Sequence, residues 1–164
     1  IPAIGKVSWV HPTNLHVTLQ FLGDIPEDVP GKIEGWQTGL MTHTIPIQIG
    51  PLDAFPSLSN PKVLFLRIEP REPFSVLFHE LETRLDRIGI PREQRPYIPH
   101  LTIARVRKPG RFWRDRPDGS PIIQPNQIQD VLKTVVLFDS RLTPSGPVYT
   151  PMSIAVLPHP LPPR

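Results

Sequence analysis

His16-Val17-Thr18-Leu19 and His100-Leu101-Thr102-Ile103 share one pattern: a histidine, an apolar residue, a threonine and a second apolar residue. In a β-strand, successive side chains point to opposite faces, so each histidine shares a face with the threonine two residues later. In both stretches the alternate positions are apolar, which is typical of a strand with one buried face. We therefore predict two strands, each presenting a His-Thr pair on one face.

A third triplet, His11-Pro12-Thr13, shows that the residue types alone are not diagnostic. Its proline cannot donate a backbone hydrogen bond to a strand ladder, and Asn14 follows it. This stretch is therefore predicted to be a turn between two strands.

Hydrophobic periodicity predicts the elements around the two motifs. Helices are predicted over residues 28–42 and 73–88, and strands over 6–10, 15–23, 45–49, 62–69, 98–107, 132–139 and 148–157. Each motif strand lies in a similar strand–helix–strand neighbourhood. The order indicates an α+β fold of two pseudo-symmetric lobes of mainly antiparallel sheet with outer helices. One His-Thr pair from each lobe is expected to face the other across a central cleft. Residues 1–164 are predicted to form this single bilobal domain, with 158–164 as a disordered tail.

Composition narrows the class of protein. The chain has 164 residues, a net charge of +3 and no cysteine, so disulfides and thiolate chemistry are excluded. It has no apolar run long enough to span a bilayer and no signal-peptide pattern at its start, so we expect a cytoplasmic protein. The 24 prolines are scattered, which favours a fold rich in strands and loops.

The chemistry-bearing residues favour acid–base catalysis on a phosphate. Imidazoles titrate near neutrality, so one can donate a proton while the other accepts one. The motif spacing is not that of a zinc site, and we expect neither a metal nor another cofactor. A basic stretch follows the second motif, over residues 105–116, and includes Phe112 and Trp113. It is interpreted either as an RNA-binding segment or as a solvated basic loop. Alternation along the strand places Arg105 on the face opposite His100.

The chain resembles the two-histidine phosphoesterases, specifically the RNA 2′,3′-cyclic phosphodiesterases, which are historically called 2′–5′ RNA ligases. Besides the two motifs, the resemblance rests on Trp9-Val10, Asn14-Leu15, Phe21-Leu22-Gly23, Phe55-Pro56, Arg95-Pro96, Pro99, Ala104-Arg105, Ser140-Arg141-Leu142 and Gly146-Pro147-Val148-Tyr149. It covers essentially the whole chain. The short strand and helix with which family members usually open are missing, which predicts an exposed sheet edge in the first lobe.

The resemblance implies a function and a role for each site residue. His16 is the expected proton donor and His100 the expected proton acceptor, and Thr18 and Thr102 are expected to bind phosphate oxygens. Arg105 is expected either to bind the substrate on the phosphate side or to give structural support near the site. The implied reaction is hydrolysis of RNA 2′,3′-cyclic phosphodiester ends to 2′-phosphomonoesters.

Two alternatives remain at this point. One is 2′–5′ ligation of tRNA halves, or cleavage of another cyclic phosphate, on the same fold. The other is a non-catalytic module that binds RNA ends. The expected partner is an RNA with a cyclic phosphate end and not a membrane. We expect a monomer, or a domain-swapped dimer if the opening strand is truly missing.

Overall fold

The computed structural model describes residues 4–25, 39–115, 128–144 and 146–159. Its strands are β1 (Gly5–Trp9), β2 (Ile45–Phe55), β3 (Val63–Glu69), β4 (His100–Pro109), β5 (Ile128–Leu132), β6 (Thr134–Thr143) and β7 (Gly146–Val156). Its helices are α1 (Glu72–Asp86) and the short α2 (Arg111–Arg114), and a 3-10 turn covers Pro12–Asn14.

The chain divides into two compact units. Unit 1 contains residues 1–19, 47–71 and 98–130, and unit 2 contains residues 20–46, 72–97 and 131–164. Both sequence motifs fall in unit 1. The first motif lies in the segment that ends at Leu19, and the second lies in the segment that begins at Ile98. The expectation that each lobe supplies one His-Thr pair is therefore wrong for these units. The reason is a direct backbone pairing between the two motifs, described below.

Unit 1 is organised around antiparallel pairs in a five-stranded sheet of order β1-β4-β3-β2-β5. One face of this sheet, the core face, buries Ala54, Leu64, Ala104 and Val106 together with Trp113 of α2. Along β4, the buried Ala104 and Val106 alternate with the exposed Arg105 and Arg107, so one face of this strand packs inward. The Trp113 Nε1 donates a hydrogen bond of 2.8 Å to the Ile4 carbonyl, which fixes α2 beside β1.

Unit 2 contains helix α1 and the hairpin of β6 and β7. The helix buries an apolar stripe at helical spacing, formed by Phe74, Leu77, Phe78 and Leu81. Its observed range, Glu72–Asp86, confirms the helix predicted over 73–88. Gly89 follows in the left-handed region at φ 89°, as a stop signal after a helix requires. No helix in the described ranges is long and apolar enough to cross a membrane.

The predicted strand over residues 15–23 is largely wrong. In its place, Val17 alone forms a bridge to Leu101, and the neighbouring residues form no strand. If the antiparallel register continued, Leu19 would lie opposite Pro99, which has no N–H to donate. In the other direction, the Ile103 carbonyl already accepts a hydrogen bond of 2.9 Å from the Val10 N–H. The ladder therefore does not extend on either side of the bridge.

Other predictions differ in extent. The strand predicted over 45–49 continues to Phe55, and the segment predicted as 132–139 is two strands, β5 and β6. Most of the helix predicted over 28–42 lies outside the described residues, and the described part, 39–42, is not helical. The predicted tail begins at Pro158, whose carbonyl accepts a hydrogen bond of 2.9 Å from Thr44, and residues 160–164 lie outside the described part.

Candidate active site

The two motifs lie side by side in unit 1. Val17, at the centre of the first motif, forms an antiparallel bridge with Leu101, at the centre of the second. Leu101 also pairs with Leu66 of β3, so the second motif lies between the first motif and β3. Two copies of a pattern that are 84 positions apart in the sequence are thus joined by a backbone bridge.

The strand register shows which side chains share the face with the second motif. His100 lies opposite Arg67, and Thr102 lies opposite Phe65. Phe65 in turn lies opposite Asp53 of β2. Directly opposed residues point to the same side of a sheet. We call the side that carries His100, Thr102, Phe65, Arg67 and Asp53 the His-Thr face.

The two motif histidines are held in the same way. The Nδ1 of His16 lies 2.7 Å from the Asn14 carbonyl oxygen, and the Nδ1 of His100 lies 2.7 Å from the Ile98 carbonyl oxygen. A carbonyl only accepts hydrogen bonds, so each Nδ1 carries a proton and donates it. In the neutral form of both rings, Nε2 is therefore the nitrogen that carries the acceptor lone pair.

His11, in the third triplet, is held differently. Its Nδ1 accepts a hydrogen bond of 3.4 Å from the Thr13 N–H and lies 2.8 Å from the Thr13 hydroxyl. The side chain caps the 3-10 turn Pro12–Asn14, which confirms the predicted turn. In His11 the Nδ1 is an acceptor that stabilises the local turn. In the two motif histidines the Nδ1 is a donor, which is the opposite tautomer.

Two phenylalanines enclose the His100 ring. The ring centroids of Phe55 and Phe65 each lie 5.2 Å from that of His100, at interplanar angles of 83° and 62°. The two phenylalanines stack on each other at 4.3 Å. Together with the Nδ1 hydrogen bond, these edge-to-face contacts restrict both the position and the rotation of the imidazole. The sequence analysis named Phe55 only among the residues that carry the family resemblance and did not single out Phe65.

Arg105 lies on the His-Thr face, so its predicted placement opposite His100 is wrong. The register between β3 and β4 shifts by one residue between Leu64 and Phe65, because β4 fits one extra residue, Ile103, at that point. Beyond this bulge, Arg105 pairs with Val63, which shares a face with Phe65 and Arg67. A β-bulge reverses the alternation of side chains, which simple period-two counting does not foresee.

The basic stretch after the second motif is only partly available to a ligand. Trp113 is 3% exposed and belongs to the core of unit 1, so it is not a base-stacking residue. Phe112 is 41% exposed and packs edge-to-face on the Trp113 ring. Arg116 lies outside the described residues. The arginines described in this stretch are compatible with both sequence interpretations, an RNA-binding segment and a solvated basic loop.

Arg67 and Asp53 form an ion pair on the His-Thr face that sequence reasoning missed. The Arg67 Nε donates a hydrogen bond of 2.7 Å to Asp53 Oδ2, and its Nη2 contacts the same oxygen. The available signal was an arginine at the alternate position of an otherwise apolar strand, Val63-Leu64-Phe65-Leu66-Arg67-Ile68. A charged residue in such a strand marks the face that does not enter the core.

Comparison with known proteins places these features in a family context. The family model described as the 2′-5′ RNA ligase superfamily matches residues 8–115, which include both motifs. The RNA 2′,3′-cyclic phosphodiesterase of Methanothermobacter thermautotrophicus is 35% identical over 158 residues, which cover 93% of this chain and 83% of that protein. The protein of the same name from Aquifex aeolicus is 30% identical over 155 residues, covering 90% of this chain and 79% of that one.

Solved structures show the same fold. A crystal structure of a Thermus thermophilus protein matches with a TM-score of 0.76 at 27% identity, covering 93% of this chain and 83% of the other. The crystal structure of LigT from E. coli in complex with 3′-AMP matches with a TM-score of 0.72 at 21% identity, covering 96% and 83%. The antiparallel sheets and few helices of the described residues are thus the architecture of these neighbours.

Proposed function

The chain belongs to the 2′-5′ RNA ligase superfamily, and on that premise we propose that it hydrolyses RNA 2′,3′-cyclic phosphodiester ends to 2′-phosphomonoesters. The observation that carries the proposal is the Val17–Leu101 bridge, because it joins the two motifs. The relatives named RNA 2′,3′-cyclic phosphodiesterase support the substrate class.

The bridge register favours a compact quartet. If the antiparallel pairing of Val17 with Leu101 is followed one residue to either side, His16 would lie opposite Thr102 and Thr18 opposite His100. The two histidines are then diagonal neighbours, at a backbone separation of about 7–8 Å, with the hydroxyls on the other diagonal. All four side chains would lie on the His-Thr face, with the two Nε2 atoms turned toward a shared phosphate.

This arrangement supplies an acid and a base to one displacement at phosphorus. The His100 Nε2 accepts a proton from water as the water oxygen bonds to phosphorus. The His16 Nε2 donates its proton to the 3′ oxygen as the bond from phosphorus to that oxygen breaks. The 2′-phosphate remains, and the two imidazoles have exchanged protonation states. No proton or electron is left unbalanced.

Hydrogen-bond donors stabilise the charge that develops on the phosphate. The Thr18 and Thr102 hydroxyls donate to the non-bridging oxygens, which gain negative charge in the transition state. Arg105, on the same face, adds a positive charge beside them. Neither step calls on a metal ion or another cofactor, and we propose that the reaction proceeds without one.

The decisive experiment uses a 2′,3′-cyclic nucleotide in the presence of EDTA. We expect hydrolysis to the 2′-phosphate with a bell-shaped pH dependence of kcat/KM, since one imidazole must be neutral and the other protonated. His16→Ala and His100→Ala should each reduce the rate on the order of 10²–10⁴-fold. The matched control is His79→Ala, whose ring is 70% exposed on α1 and outside the site. Full activity in either motif variant would overturn the proposal.

A second function on the same fold is ligation, because the matching family model carries that description. The two activities use the same acid–base pair in opposite directions, with an RNA 5′-hydroxyl in place of water. Incubating a cyclic-phosphate-ended RNA half with its partner half and resolving the products by length separates them. We propose hydrolysis as the main reaction, in the cytoplasm, by a monomeric protein.

A further inference from the structure

The Arg67–Asp53 pair lies beside the proposed reaction centre and has no part in the proposed chemistry. Arg67 is directly opposite His100 in the β3–β4 register. Asp53 lies one row away, opposite Phe65. Adjacent strands are about 5 Å apart, so the guanidinium, leaning from β3 toward β2, lies one to two strand spacings from the motif strand.

The pair is built to hold the arginine in place. Asp53 Oδ2 accepts hydrogen bonds from both the Nε and the Nη2 of Arg67. Asp53 Oδ1 accepts a hydrogen bond of 2.8 Å from the Ala54 N–H. The carboxylate is therefore fixed by its own backbone and in turn fixes the guanidinium. Its side chain is 22% exposed, whereas that of Arg67 is 47% exposed. Within the described ranges, two of the five N–H donors of Arg67 are used in this contact, which leaves three that can reach a ligand.

The Arg67–Asp53 pair is not expected to add much to the stability of the fold. Ion pairs with a partly exposed arginine contribute little to folding. A preorganised guanidinium, by contrast, is well suited to bind phosphate oxygens through paired N–H donors. The His-Thr face then carries arginines on either side of the motif side chains, Arg105 beyond Thr102 and Arg67 beside His100.

We propose that Arg67, positioned by Asp53, binds the phosphodiester that joins the cyclic-phosphate nucleotide to the nucleotide before it. The inference rests on the proposed function, since it assumes that the cyclic phosphate occupies the motif side chains. An RNA end has a second phosphate one nucleotide away, and a mononucleotide does not. Arg67 thereby makes the protein select oligoribonucleotides over cyclic mononucleotides.

The test compares two substrates that differ by that phosphate and its nucleoside: a 2′,3′-cyclic mononucleotide and a diribonucleotide with a 2′,3′-cyclic phosphate end. In Arg67→Ala, the ratio of kcat/KM for the dinucleotide to that for the mononucleotide should fall roughly tenfold or more, as expected for a lost charge-assisted contact. Asp53→Asn should lower the same ratio by less, mainly through KM, because the arginine remains but is held less firmly.

The matched control is Arg71→Ala. Arg71 pairs with Glu69 at the end of β3, and both side chains are 49% exposed, so this variant loses a positive charge and a surface ion pair while the Arg67–Asp53 contact is kept. The substrate ratio should stay at the wild-type value. An unchanged ratio in Arg67→Ala, or equal losses with both substrates, would overturn the inference.

A binding measurement separates failure of this inference from failure of the proposed function. A fluorescent oligoribonucleotide with a 2′-phosphate end is titrated at several salt concentrations. Loss of one phosphate contact should reduce the slope of log K against log salt by about 0.7 in Arg67→Ala. If the wild type binds with this dependence but hydrolyses neither substrate, the proposed function fails and the Arg67 contact stands. If the slope is the same in both proteins, the Arg67 contact fails, whatever the hydrolysis result.

Discussion

The two motif histidines show how a short local hydrogen bond prepares a side chain for proton transfer. Each Nδ1 is fixed on a carbonyl two residues earlier, at Asn14 and Ile98. Since the backbone of an extended segment supplies that carbonyl, the pattern needs no distant partner such as the carboxylate of a catalytic triad. In both rings the Nδ1 contact fixes the same tautomer and orients the ring through a backbone acceptor.

His100 has an additional support in the rings of Phe55 and Phe65, and this leads to a prediction. Phe55→Leu keeps an apolar side chain but removes the edge-to-face contact with the imidazole at 5.2 Å. Such contacts contribute about 0.5–1.5 kcal/mol. If the ring must be held for proton transfer, kcat should fall by about threefold to tenfold while KM changes little.

The control for this change is Phe112→Leu. Phe112 also packs edge-to-face on an aromatic ring, at 5.0 Å from Trp113, but away from the motifs. Steady-state kinetics of both variants, each checked for an unchanged thermal midpoint, give the comparison. Equal kcat values in the wild type and Phe55→Leu would show that the backbone hydrogen bond alone positions His100.

At the scale of elements, sequence reasoning predicted strands well where one face is buried and the ladder continues. β3 and α1 were found close to their predicted bounds, because their apolar residues repeat at the period of the element. The segment after His16 has the same alternation but has no ladder, since Pro99 lacks the N–H that the next pair requires. Hydrophobic periodicity predicts which side chains are buried. It does not predict whether a neighbouring strand is available for backbone hydrogen bonds.

In the candidate site, too, some features follow from local sequence patterns and others depend on how the strands pair. The motif residues were proposed from local spacing and from the family resemblance, whereas the side of the sheet that carries Arg105 depends on the extra residue at Ile103. The contacts of Arg67 with Asp53 and of Phe65 with His100 depend on strand order. Strand order joins residues far apart in sequence, and a single sequence does not encode it in any local pattern.

The start of β1 provides a prediction about the sheet. Gly5 has a φ of +92°, and a Cβ there would lie 2.1 Å from the Lys108 carbonyl oxygen of β4. Gly5→Ala should therefore lower the free energy of unfolding by more than about 2 kcal/mol, through left-handed strain together with a backbone clash. The adjacent Ile4 carbonyl accepts hydrogen bonds from Trp113 and Gly110, so a displaced β1 disturbs both.

Gly23→Ala is the matched control for strain without a clash. Gly23 also has a positive φ, +69°, but nothing lies within 4 Å of an added Cβ. Its cost should be about 1–2 kcal/mol. Urea unfolding curves of both variants measure the difference, and equal losses would mean that β1 shifts to accommodate the methyl group.

At the scale of the whole molecule, the sequence indicated two units but not their boundaries. The similar strand–helix–strand neighbourhoods predicted two lobes, one for each motif. The observed units are instead each made of three separate segments, with both motifs in unit 1. The segments of the two units alternate along the chain. When one unit unfolds, the segments of the other unit are therefore no longer held together at their ends. We therefore expect a single cooperative transition, which can report on a contact in either unit.

Glu80 of α1 makes that transition depend on pH. Burial raises the pKa of its carboxyl, but hydrogen bonds from the Met41 and Thr42 N–H groups and the Thr42 hydroxyl, together with the nearby Arg84, outweigh this and leave the pKa below its usual value. A carboxylate with a lowered folded-state pKa stabilises the protein fully above its unfolded pKa, near 4.5. This contribution is lost as the pH falls through the lower folded-state value.

Glu80→Gln should therefore destabilise the protein at pH 7 by about 1 kcal/mol, allowing for partial solvent screening, and by much less at pH 3. Glu69→Gln is the control, since that carboxylate lies in an exposed pair with Arg71 and should have little effect at either pH. Urea unfolding of the three proteins across this pH range measures the differences. A Glu80→Gln penalty that stays constant from pH 7 to pH 3 would mean that the amide disturbs packing at Met41 and Thr42, and that the charge on Glu80 is not what stabilises the contact.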